Sequence, residues 1–394
     1  SSDFTMSLIT PPPAGSNALR SRAYNRSLVL RHVRATGASG RAQIARESGL
    51  STQAVSNIIA DLVAEGWLVE AGKLSQGRGL PAMQYALDAR AGLALGVEVR
   101  PEALLVAISD LDGRILFSHR DRLTDAAPAT VCQKLRHIKA MAVAETGADR
   151  LIGAGVVMPG PFGVTGLSGA ASDLPGWAEE DALARLSQAL DLPVIIENDA
   201  SAAAMAEMVS GHGQGLGSFA CLYFGTGIGL GVIAERSLLR GARGNAGEIG
   251  QIAVPHRGQF VALEQIASRI ALRDRLAATG EEAETSAALE ALFLARNPVL
   301  MDWLEDAGQA LSHAVLTVEN LYDPDTVIAG GALPEQLLKA LLARVALSDR
   351  SVANRPGRAH PRLICGTCGP LTATQGAAAL IINHAFTPRM AAEI

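Results

Sequence analysis

The stretch GEIGQIAVPHRGQFVALEQ, residues 247–265, places Glu248, Gln251 and Glu264 in a loop that is interrupted by glycines and contains no cysteine. Carboxylates and amides in such a loop serve three kinds of chemistry. They act as a general base, ligate a metal ion, or accept hydrogen bonds from a bound molecule. These residues alone leave open whether the loop is catalytic, has lost a metal or only recognises a ligand.

Two more polar residues follow a strand-like run in PVIIENDASAAAMAE, residues 193–207. Asn198 and Asp199 stand where the apolar run ends and an alanine-rich helical segment begins. Side chains at a strand end beside a helix N-terminus can face a ligand. Asp199 can equally cap the helix, and the segment on its own favours that simpler role.

Two glycine-containing segments also fit ligand chemistry. CLYFGTGIGLGVI, residues 221–233, is typical of a strand, a glycine loop and a second strand. Gly225 and Gly227 let a ligand approach the backbone closely, and Thr226 offers a hydroxyl. DPDTVIAGGAL, residues 323–333, is a strand that enters Gly330-Gly331. Phosphate-binding loops need such glycines, but so does any tight turn, so each signal is weak by itself.

Alternating strand and helix patterns must position these residues. Residues 93–108 are apolar and strand-like, Asp110 to Gly113 forms a turn, residues 131–146 are helical, and residues 151–158 are typical of a buried strand. Strands that alternate with helices predict an α/β body. A chain of 394 residues with 48% apolar residues is long enough for two or three packed domains.

The first part of the chain predicts a helix-turn-helix. Residues 17–36 form a basic amphipathic helix, residues 41–47 a short helix, and a turn at residues 48–50 leads to a helix that Ser51 caps. In that last helix an apolar stripe turns inward, at Val55, Ile58, Ile59 and Leu62. We assign the other face to double-stranded DNA, through Arg41, Ser51, Thr52, Gln53, Ser56 and Asn57.

A wing follows the helices. Residues 66–69 begin a strand, residues 76–79 turn and residues 83–87 return, so Arg78 at the tip can enter a minor groove or grip a phosphate. Residues 1–90 carry 10 Lys and Arg against 6 Asp and Glu, whereas the rest of the chain carries 24 against 33. The basic end favours a polyanionic partner. The alternative is a three-helix module for protein binding or dimerisation, which fits the wing and the basic helix less well.

Several other classes are disfavoured. No uninterrupted apolar run reaches about 18 residues, and Pro11-Pro12-Pro13 stands where a signal peptide needs an apolar core, so we expect a cytoplasmic protein without a membrane partner. Four cysteines are too few for a disulfide framework. Cys365 and Cys368 have the spacing of a redox or half-zinc site, but no second pair stands near them, which favours two buried thiols.

In combination these segments resemble the ROK family of repressors and sugar kinases, which have an actin-like, hexokinase-like ATPase fold. The motifs occur in order along nearly the whole chain: NRSLVLRHVRATG, PGP, LPGW, ENDASAAAMAE, FGTGIGLG, GNAGEIGQ, VALEQIAS, VIAGGAL and QGAAAL. The resemblance implies a winged helix-turn-helix domain at 16–88 and a two-lobed α/β body. Lobe 1 is expected at 93–200, lobe 2 at 201–370, and a C-terminal helix that packs back on lobe 1 at 371–387.

The resemblance also implies roles for single residues. A sugar would be held by Asn198, Asp199, Glu248, Gln251 and Glu264, with Gln251 in place of the family histidine. Asp199 would be a catalytic base only in a kinase, and a vestigial nucleotide site would comprise Gly225, Thr226, Gly227, Gly330 and Gly331. Relatives carry a zinc-binding cysteine cluster that is shortened here to AVPHRGQFVA. His256 alone cannot complete a four-coordinate site, so we expect no metal.

The chain departs from the kinases at the start of the body. Kinases of the family carry a D-x-G-G-T type loop there, whereas this chain has LGVEVRPEALL. Glu98 replaces the aspartate, and Val99-Arg100-Pro101 replaces the glycines. Since proline has no N–H and valine resists glycine conformations, we expect the phosphate-binding loop to be missing.

We therefore predict a transcriptional repressor of a sugar operon that requires no cofactor. A sugar or sugar-phosphate effector would enter between the lobes and change the spacing of two winged helices in a homodimer or homotetramer on operator DNA. One alternative is an ATP- and Mg²⁺-dependent kinase of hexoses or N-acetylhexosamines that retains a DNA-binding domain. Another is a structural DNA-binding protein with a dead sugar pocket.

Overall fold

The computed structural model describes residues 17–74, 81–148, 150–160, 174, 176–177, 181–283 and 285–386. The chain begins with a small helical domain, here called the head, with helices α1 (Asn17–Thr36), α2 (Arg41–Ser48) and α3 (Thr52–Ala64). The predicted cap is present, because Ser51 Oγ accepts a hydrogen bond from the Ala54 N–H at 3.2 Å. The predicted apolar stripe is buried in the head core, at Val55, Ile58, Ile59 and Leu62.

A three-stranded antiparallel sheet completes the head, in the order β1-β3-β2. Its strands are β1 (Ser39–Gly40), β2 (Leu68–Leu74) and β3 (Ala82–Leu87). The β2 and β3 strands pair as the two sides of a wing. Arg78, predicted at the wing tip, lies outside the described residues.

The body contains two five-stranded sheets with the same topology. The first has the order β6-β5-β4-β7-β8, with strands β4 (Leu93–Val99), β5 (Ala103–Ser109), β6 (Ile115–Arg122), β7 (Leu151–Val157) and β8 (Val194–Glu197). The second has the order β11-β10-β9-β14-β15, with strands β9 (Phe219–Phe224), β10 (Ile228–Ala234), β11 (Ser237–Leu238), β14 (Val327–Gly331) and β15 (Leu363–Cys368). In each sheet three antiparallel strands are followed by two parallel ones. We name the parts built on them lobe 1 and lobe 2.

Helices form layers around these sheets. They are α4 (Pro128–Thr146), α5 (Ala182–Leu190), α6 (Asp199–Ser210), α7 (Glu264–Ala267), α8 (Arg269–Ala277), α9 (Ser286–Leu294), α10 (Pro298–Tyr322), α11 (Glu335–Leu342) and α12 (Thr372–Phe386). Helices α4 and α5 cover the outer face of the lobe 1 sheet, and α7 to α11 cover that of lobe 2. Helices α6 and α12 lie between the two sheets. A separate hairpin joins β12 (Ala253–His256) to β13 (Gln259–Ala262).

One strand prediction needs correction. The apolar run at residues 93–108 forms two antiparallel strands, β4 and β5, joined by a turn at Arg100-Pro101-Glu102 in which the Arg100 N–H donates to the Ala103 carbonyl at 2.8 Å. Every residue of both strands is buried, so no polar alternation marks where one ends. The proline, which fixes its own φ near −65°, is the signal that sequence analysis undervalued.

The α12 helix packs against its neighbours backbone to backbone. A Cβ at Gly96 of β4 would lie 2.2 Å from the Thr374 carbonyl oxygen, and one at Gly155 of β7 would lie 1.8 Å from the Ala377 carbonyl oxygen. On the other side, a Cβ at Gly376 would lie 2.1 Å from the Ala202 carbonyl oxygen of α6. Glycine at these three positions therefore lets α12 lie between lobe 1 and α6.

The domain limits drawn from the sequence, at 16–88, 93–200, 201–370 and 371–387, remain our proposal for dividing the chain. In the part of the chain that the structure describes, no helix is both long and apolar enough to cross a membrane.

Gly155→Ala should disrupt this packing. The new Cβ would meet the Ala377 carbonyl at a distance that no atom pair tolerates, so we expect a loss of about 1–3 kcal/mol or more of unfolding free energy. Thermal and urea denaturation measure it. Gly217→Ala is the matched control, because a Cβ there meets nothing within 4 Å. Equal midpoints for the two variants would contradict the backbone contact.

Candidate ligand cleft and nucleic-acid interface

The candidate ligand site, here called the cleft, is the region around Asp199, which two hairpin turns adjoin. The β4–β5 turn comes from lobe 1, and the β9–β10 turn, with Gly225, Thr226 and Gly227, comes from lobe 2. Asp199, the first residue of α6, reaches the second turn, since a Cβ at Gly225 would lie 2.7 Å from Asp199 Oδ2. The glycine therefore makes room for the carboxylate.

Asn198, and not Asp199, caps α6. Asn198 Oδ1 accepts a hydrogen bond from the Ser201 N–H at 2.8 Å, which satisfies one of the free N–H groups of the first turn. The capping role considered for Asp199 was therefore wrong. Asp199 Oδ1 accepts from the Ala200 N–H at 2.8 Å, and its other oxygen points towards Gly225.

The loop at residues 247–265 brings its three predicted residues to the same cleft. Glu248 precedes a short 3₁₀ helix at Ile249–Gln251, and Glu264 begins α7. Gln251 Nε2 donates to Glu264 Oε1 at 2.6 Å. A Cβ at Gly227 would lie 3.0 Å from Glu264 Oε2, which places this carboxylate against the β9–β10 turn.

Gly160 lies between Asn198, at the start of α6, and Glu248, in the 247–265 loop. A Cβ on this glycine would lie 3.8 Å from the Asn198 Cβ and 3.9 Å from Glu248 Oε1. The five predicted residues therefore lie close together, near the start of α6, the β9–β10 turn and the 247–265 loop: Asn198, Asp199, Glu248, Gln251 and Glu264. Three carboxylates and two amides form a set of acceptors and donors that suits a molecule with several hydroxyl groups.

Burial and like charges perturb this cluster. Burial, and then the charges of Glu98 and Glu248, raise the pKa of Asp199 to about 6. Burial and the charge of Glu264 raise the pKa of Glu248. The neighbouring carboxylates repel one another in partly desolvated surroundings, as such pairs do in ligand and active sites.

The charged side chains beside the β4–β5 turn are bonded to each other and to residues around the start of α12. Buried Glu98 accepts from Arg100 Nε at 2.7 Å through one oxygen and from Thr374 Oγ1 at 3.0 Å through the other. Arg100 Nη2 also donates to the Pro370 carbonyl at 3.4 Å. Burial alone would lower the pKa of Arg100, but Glu98 outweighs it and the net shift is upward. Sequence analysis noted Glu98 and Arg100 only as departures and missed Thr374.

Strand packing accounts for the two glycines at the end of β14 that were predicted to belong to a vestigial nucleotide site. Gly331 has a φ of 122°, and a Cβ there would lie 2.5 Å from the Phe224 carbonyl oxygen. A Cβ at Gly330 would lie 2.4 Å from the Thr367 carbonyl oxygen. Both glycines are required by the fold without any nucleotide. Thr226 is exposed at the β9–β10 turn.

Within the described ranges, no three His, Cys, Asp or Glu side chains are grouped so as to hold a metal ion. His256 ends β12 in the short hairpin. Cys365 and Cys368 on β15 are only partly buried, which corrects the expectation of two buried thiols. Burial raises the pKa of both thiols, that of Cys368 to about 12.

The predicted DNA-reading face lies on the outer side of α3. Thr52, Gln53 and Asn57 are exposed and Ser56 is partly exposed. In the free protein Gln53 Nε2 donates to Asn57 Oδ1 at 3.0 Å, so these two side chains are held together on the surface.

Other basic residues of the head have structural contacts. Exposed Arg41 stacks over the Tyr85 ring at 5.0 Å from its centroid. Arg26 is buried and pairs with Glu65 at the end of α3. Sequence analysis identified the segment containing Arg26 only as a basic amphipathic helix. The pairing of Arg26 with α3 was not visible from helical periodicity, because the partner is 39 residues away.

The fold and the cleft define an α/β protein of the two-lobed ATPase class with an added helix-turn-helix head. The chain belongs to the ROK family, whose sequence profile matches residues 94–384. It is 24% identical over 373 residues to the xylose repressor of Bacillus spizizenii, an alignment that covers 91% of this chain and 95% of the repressor. It is 28% identical to the glucokinase of Streptomyces coelicolor, covering 62% of this chain and 83% of the kinase.

The similar solved structures also include both a transcriptional regulator and a sugar kinase. The chain is similar to a ROK family transcriptional regulator, a homologue of the Escherichia coli MLC protein, with a TM-score of 0.71, 22% identity, and coverage of 93% of this chain and 97% of that one. A ROK glucokinase of Streptomyces griseus, solved with glucose and AMPPNP, gives a TM-score of 0.56 at 25% identity and covers 73% of this chain and 99% of the kinase. The kinase thus aligns almost completely and still leaves about a quarter of this chain unmatched.

Asp199→Asn should change how stability depends on pH. The raised pKa means that the folded protein keeps a proton that the unfolded chain loses between pH 4 and pH 6, so this group lowers stability as pH rises. The variant lacks that titration. Its stability relative to wild type should therefore increase from pH 4 to pH 7, by at most ~3 kcal/mol. Urea denaturation at several pH values measures it, with Asp302→Asn on α10 as the exposed control. A pH-independent difference would show that the carboxyl is not perturbed.

Proposed function

We propose that this chain is a DNA-binding transcriptional repressor of sugar metabolism, controlled by a sugar bound between its lobes. The observation that carries the proposal is the coverage of the similarities. The xylose repressor aligns with 91% of this chain, more than the ROK profile region alone, whereas the two glucokinases cover only 62% and 73% of it. The head and the cleft therefore have to be explained together, and a ligand-controlled repressor uses both.

In this proposal the cleft residues act as hydrogen-bond partners of sugar hydroxyls. Asp199, Glu248 and Glu264 accept, the amide of Asn198 donates, and the amide of Gln251 both donates and accepts. Asn198 Oδ1 is used by the α6 cap, which leaves its NH₂ group for the ligand. Arg100 is already paired with Glu98, so the carboxylates dominate the cleft charge. An uncharged sugar fits this site better than a sugar phosphate.

A sugar kinase with a DNA-binding head is the second candidate. Asp199 favours it, because a carboxyl with a pKa of about 6 is suited to general-base catalysis near neutral pH. The β4–β5 turn opposes it. Pro101 offers no N–H, the Arg100 N–H is bonded to Ala103, and the Arg100 guanidinium is paired with Glu98. We therefore propose a protein that binds sugar without ATP or Mg²⁺ and without a structural zinc.

The head is proposed to bind duplex DNA through Arg41, Ser51, Thr52, Gln53, Ser56, Asn57 and Arg78. Two copies in a homodimer would place two α3 helices in major grooves about 34–36 Å apart, or a multiple of that distance. A homotetramer would present two such pairs. Because it would bind chromosomal DNA, the protein is proposed to act in the cytoplasm.

The sugar proposal predicts a ligand-dependent rise in Tm with D-xylose, D-glucose or another sugar of a panel. A ligand at 100 times its Kd stabilises by about 2.7 kcal/mol. Glu248→Gln and Glu264→Gln should each weaken binding about tenfold or more, because each replaces a charged hydrogen-bond acceptor with a weaker neutral one. Glu145→Gln, exposed on α4, should leave binding unchanged. The absence of any sugar-induced shift would support a dead pocket, and turnover of ATP that Asp199→Asn abolishes would establish the kinase.

For the head, we expect Gln53→Ala and Asn57→Ala to relax sequence preference, at about 1–3 kcal/mol per lost base contact. Arg78→Ala should weaken binding to all sequences and reduce the salt dependence. Binding of selected and scrambled duplexes at several salt concentrations separates the two effects. Arg136→Ala, exposed on α4 in lobe 1, is the charge-matched control. A protein with both α3 substitutions that still prefers its selected duplex would place the reading surface elsewhere.

A further inference from the structure

The head is attached to lobe 1 through the end of α3. Arg150, next to β7, donates from Nη1 to the Glu65 carbonyl at 3.2 Å and to the Ala91 carbonyl at 3.1 Å. Its guanidinium also lies over the Trp67 ring, 5.2 Å from the centroid. Since Glu65 is the C-cap of α3, lobe 1 holds the helix that is proposed to read DNA.

A second attachment joins the head to α12. Arg34 on α1 lies over the ring of Phe386, the last residue of α12, 5.2 Å from its centroid. Burial lowers the pKa of Arg34 to about 10, with Asp112 opposing and Arg236 adding to the shift. Asp112 belongs to the turn before β6 in lobe 1, and Arg236 to the β10–β11 turn in lobe 2. Arg34 therefore lies where the head meets both lobes and α12.

The opposite end of α12 is bonded to the cleft. Thr374, fully buried in its first turn, donates to Glu98, which Arg100 also holds. Glu98 is close enough to Asp199 to raise its pKa. A ligand that changes the charge or position of the cleft carboxylates therefore acts on a group that is hydrogen-bonded to α12.

Between these ends α12 has little freedom to bend. It has 15 residues and a length of about 22 Å, and it is in backbone contact with β4, β7 and α6 at Gly96, Gly155 and Gly376. Helix α6 itself starts at Asp199. Packed helices of this kind shift as units rather than deform. A displacement at the cleft end is therefore expected at Phe386 as well.

We propose that α12 transmits occupancy of the cleft to the head, with Thr374 and Glu98 as its contact at the cleft and Phe386 and Arg34 as its contact at the head. This proposal rests on the proposed function. Ligand binding moves α12 and α6 relative to the lobe 1 sheet, while Arg150 keeps α3 fixed to that sheet. The Arg34 contact then shifts α1 against α3 and changes DNA affinity. None of the four residues contacts sugar or DNA in this scheme, so all are positioning residues.

The test compares the effect of one substitution on the Kd for DNA in two backgrounds of the full-length chain. The DNA is a duplex that the protein selects from random sequences. Thr374→Val removes the hydroxyl that bonds Glu98 and should change the Kd for DNA at least about threefold in the wild-type background. In the background Arg34→Gln with Phe386→Leu, the same substitution should change it less than about 1.5-fold. Thr326→Val is the matched control, since this threonine is equally buried and donates to the Pro361 carbonyl in lobe 2. It should have no effect in either background.

The second part of the test measures how a sugar changes DNA affinity in the same two backgrounds. A sugar that raises the Tm of wild type should change its DNA affinity about 5- to 150-fold. In the Arg34→Gln, Phe386→Leu background this factor should fall below about twofold, while the Tm shift by the sugar stays. Equal Thr374→Val effects in both backgrounds, or a retained sugar effect on DNA affinity, would overturn the transmission by α12 alone. A wild type that selects no duplex would instead remove the proposed function together with this proposal.

Hydrogen exchange covers the case in which the double variant does not fold. Thr374→Val should then be compared with Thr326→Val, each as a single change in the full chain without DNA. Exchange of α1 amides around Arg34 should change at least about threefold in the first variant only. Unchanged exchange in α1 would overturn the proposal.

Discussion

The close contact of α12 with its neighbours is the constraint on which the rest of the structure depends. A side chain at Gly96, Gly155 or Gly376 would overlap a carbonyl oxygen, so only glycine lets α12 fill the space between lobe 1 and α6. This contact sets the position of α6 and hence of Asp199 at its N-terminus. The geometry of the cleft therefore follows from the packing of a helix that begins 173 residues later in the chain.

The buried charge of Glu98 also holds α12 in its position along β4. A carboxylate out of water costs several kcal/mol unless it is paired, and Glu98 is almost fully buried. Arg100 satisfies one of its oxygens and Thr374 the other, which is possible for only one placement of α12 along β4. Packing and electrostatics thus select the same arrangement. In the arrangement described here, steric fit opposes displacement of α12 across the sheet, and the hydrogen bonds to Glu98 oppose its displacement along the sheet until a ligand disturbs them.

Local signals made the head and the strand–helix alternation predictable, because periodicity and capping act over a few residues. The stripe at Val55, Ile58, Ile59 and Leu62 and the cap at Ser51 are such signals. Family resemblance supplied the cleft residues, and the structure brings them together. The contacts that close the cleft were out of reach, since Thr374 bonds Glu98 across 276 residues. The turn at Pro101 was missed because the strands on both sides are wholly buried and show no alternation.

The electrostatics of the cleft underlie our proposal that the protein binds a sugar and does not transfer phosphate. Burial first, and then the charges of Glu98 and Glu248, raise the pKa of Asp199, while burial and then the charge of Glu264 raise that of Glu248, so repulsion between these carboxylates adds to the cost of burying them. Hydroxyl donors from a sugar would relieve it without adding charge. A polyphosphate would add negative charge beside Glu98, where the nearest guanidinium is already paired and the turn offers no free N–H from Pro101. In the proposed function, this charge distribution therefore favours a neutral polyol over ATP.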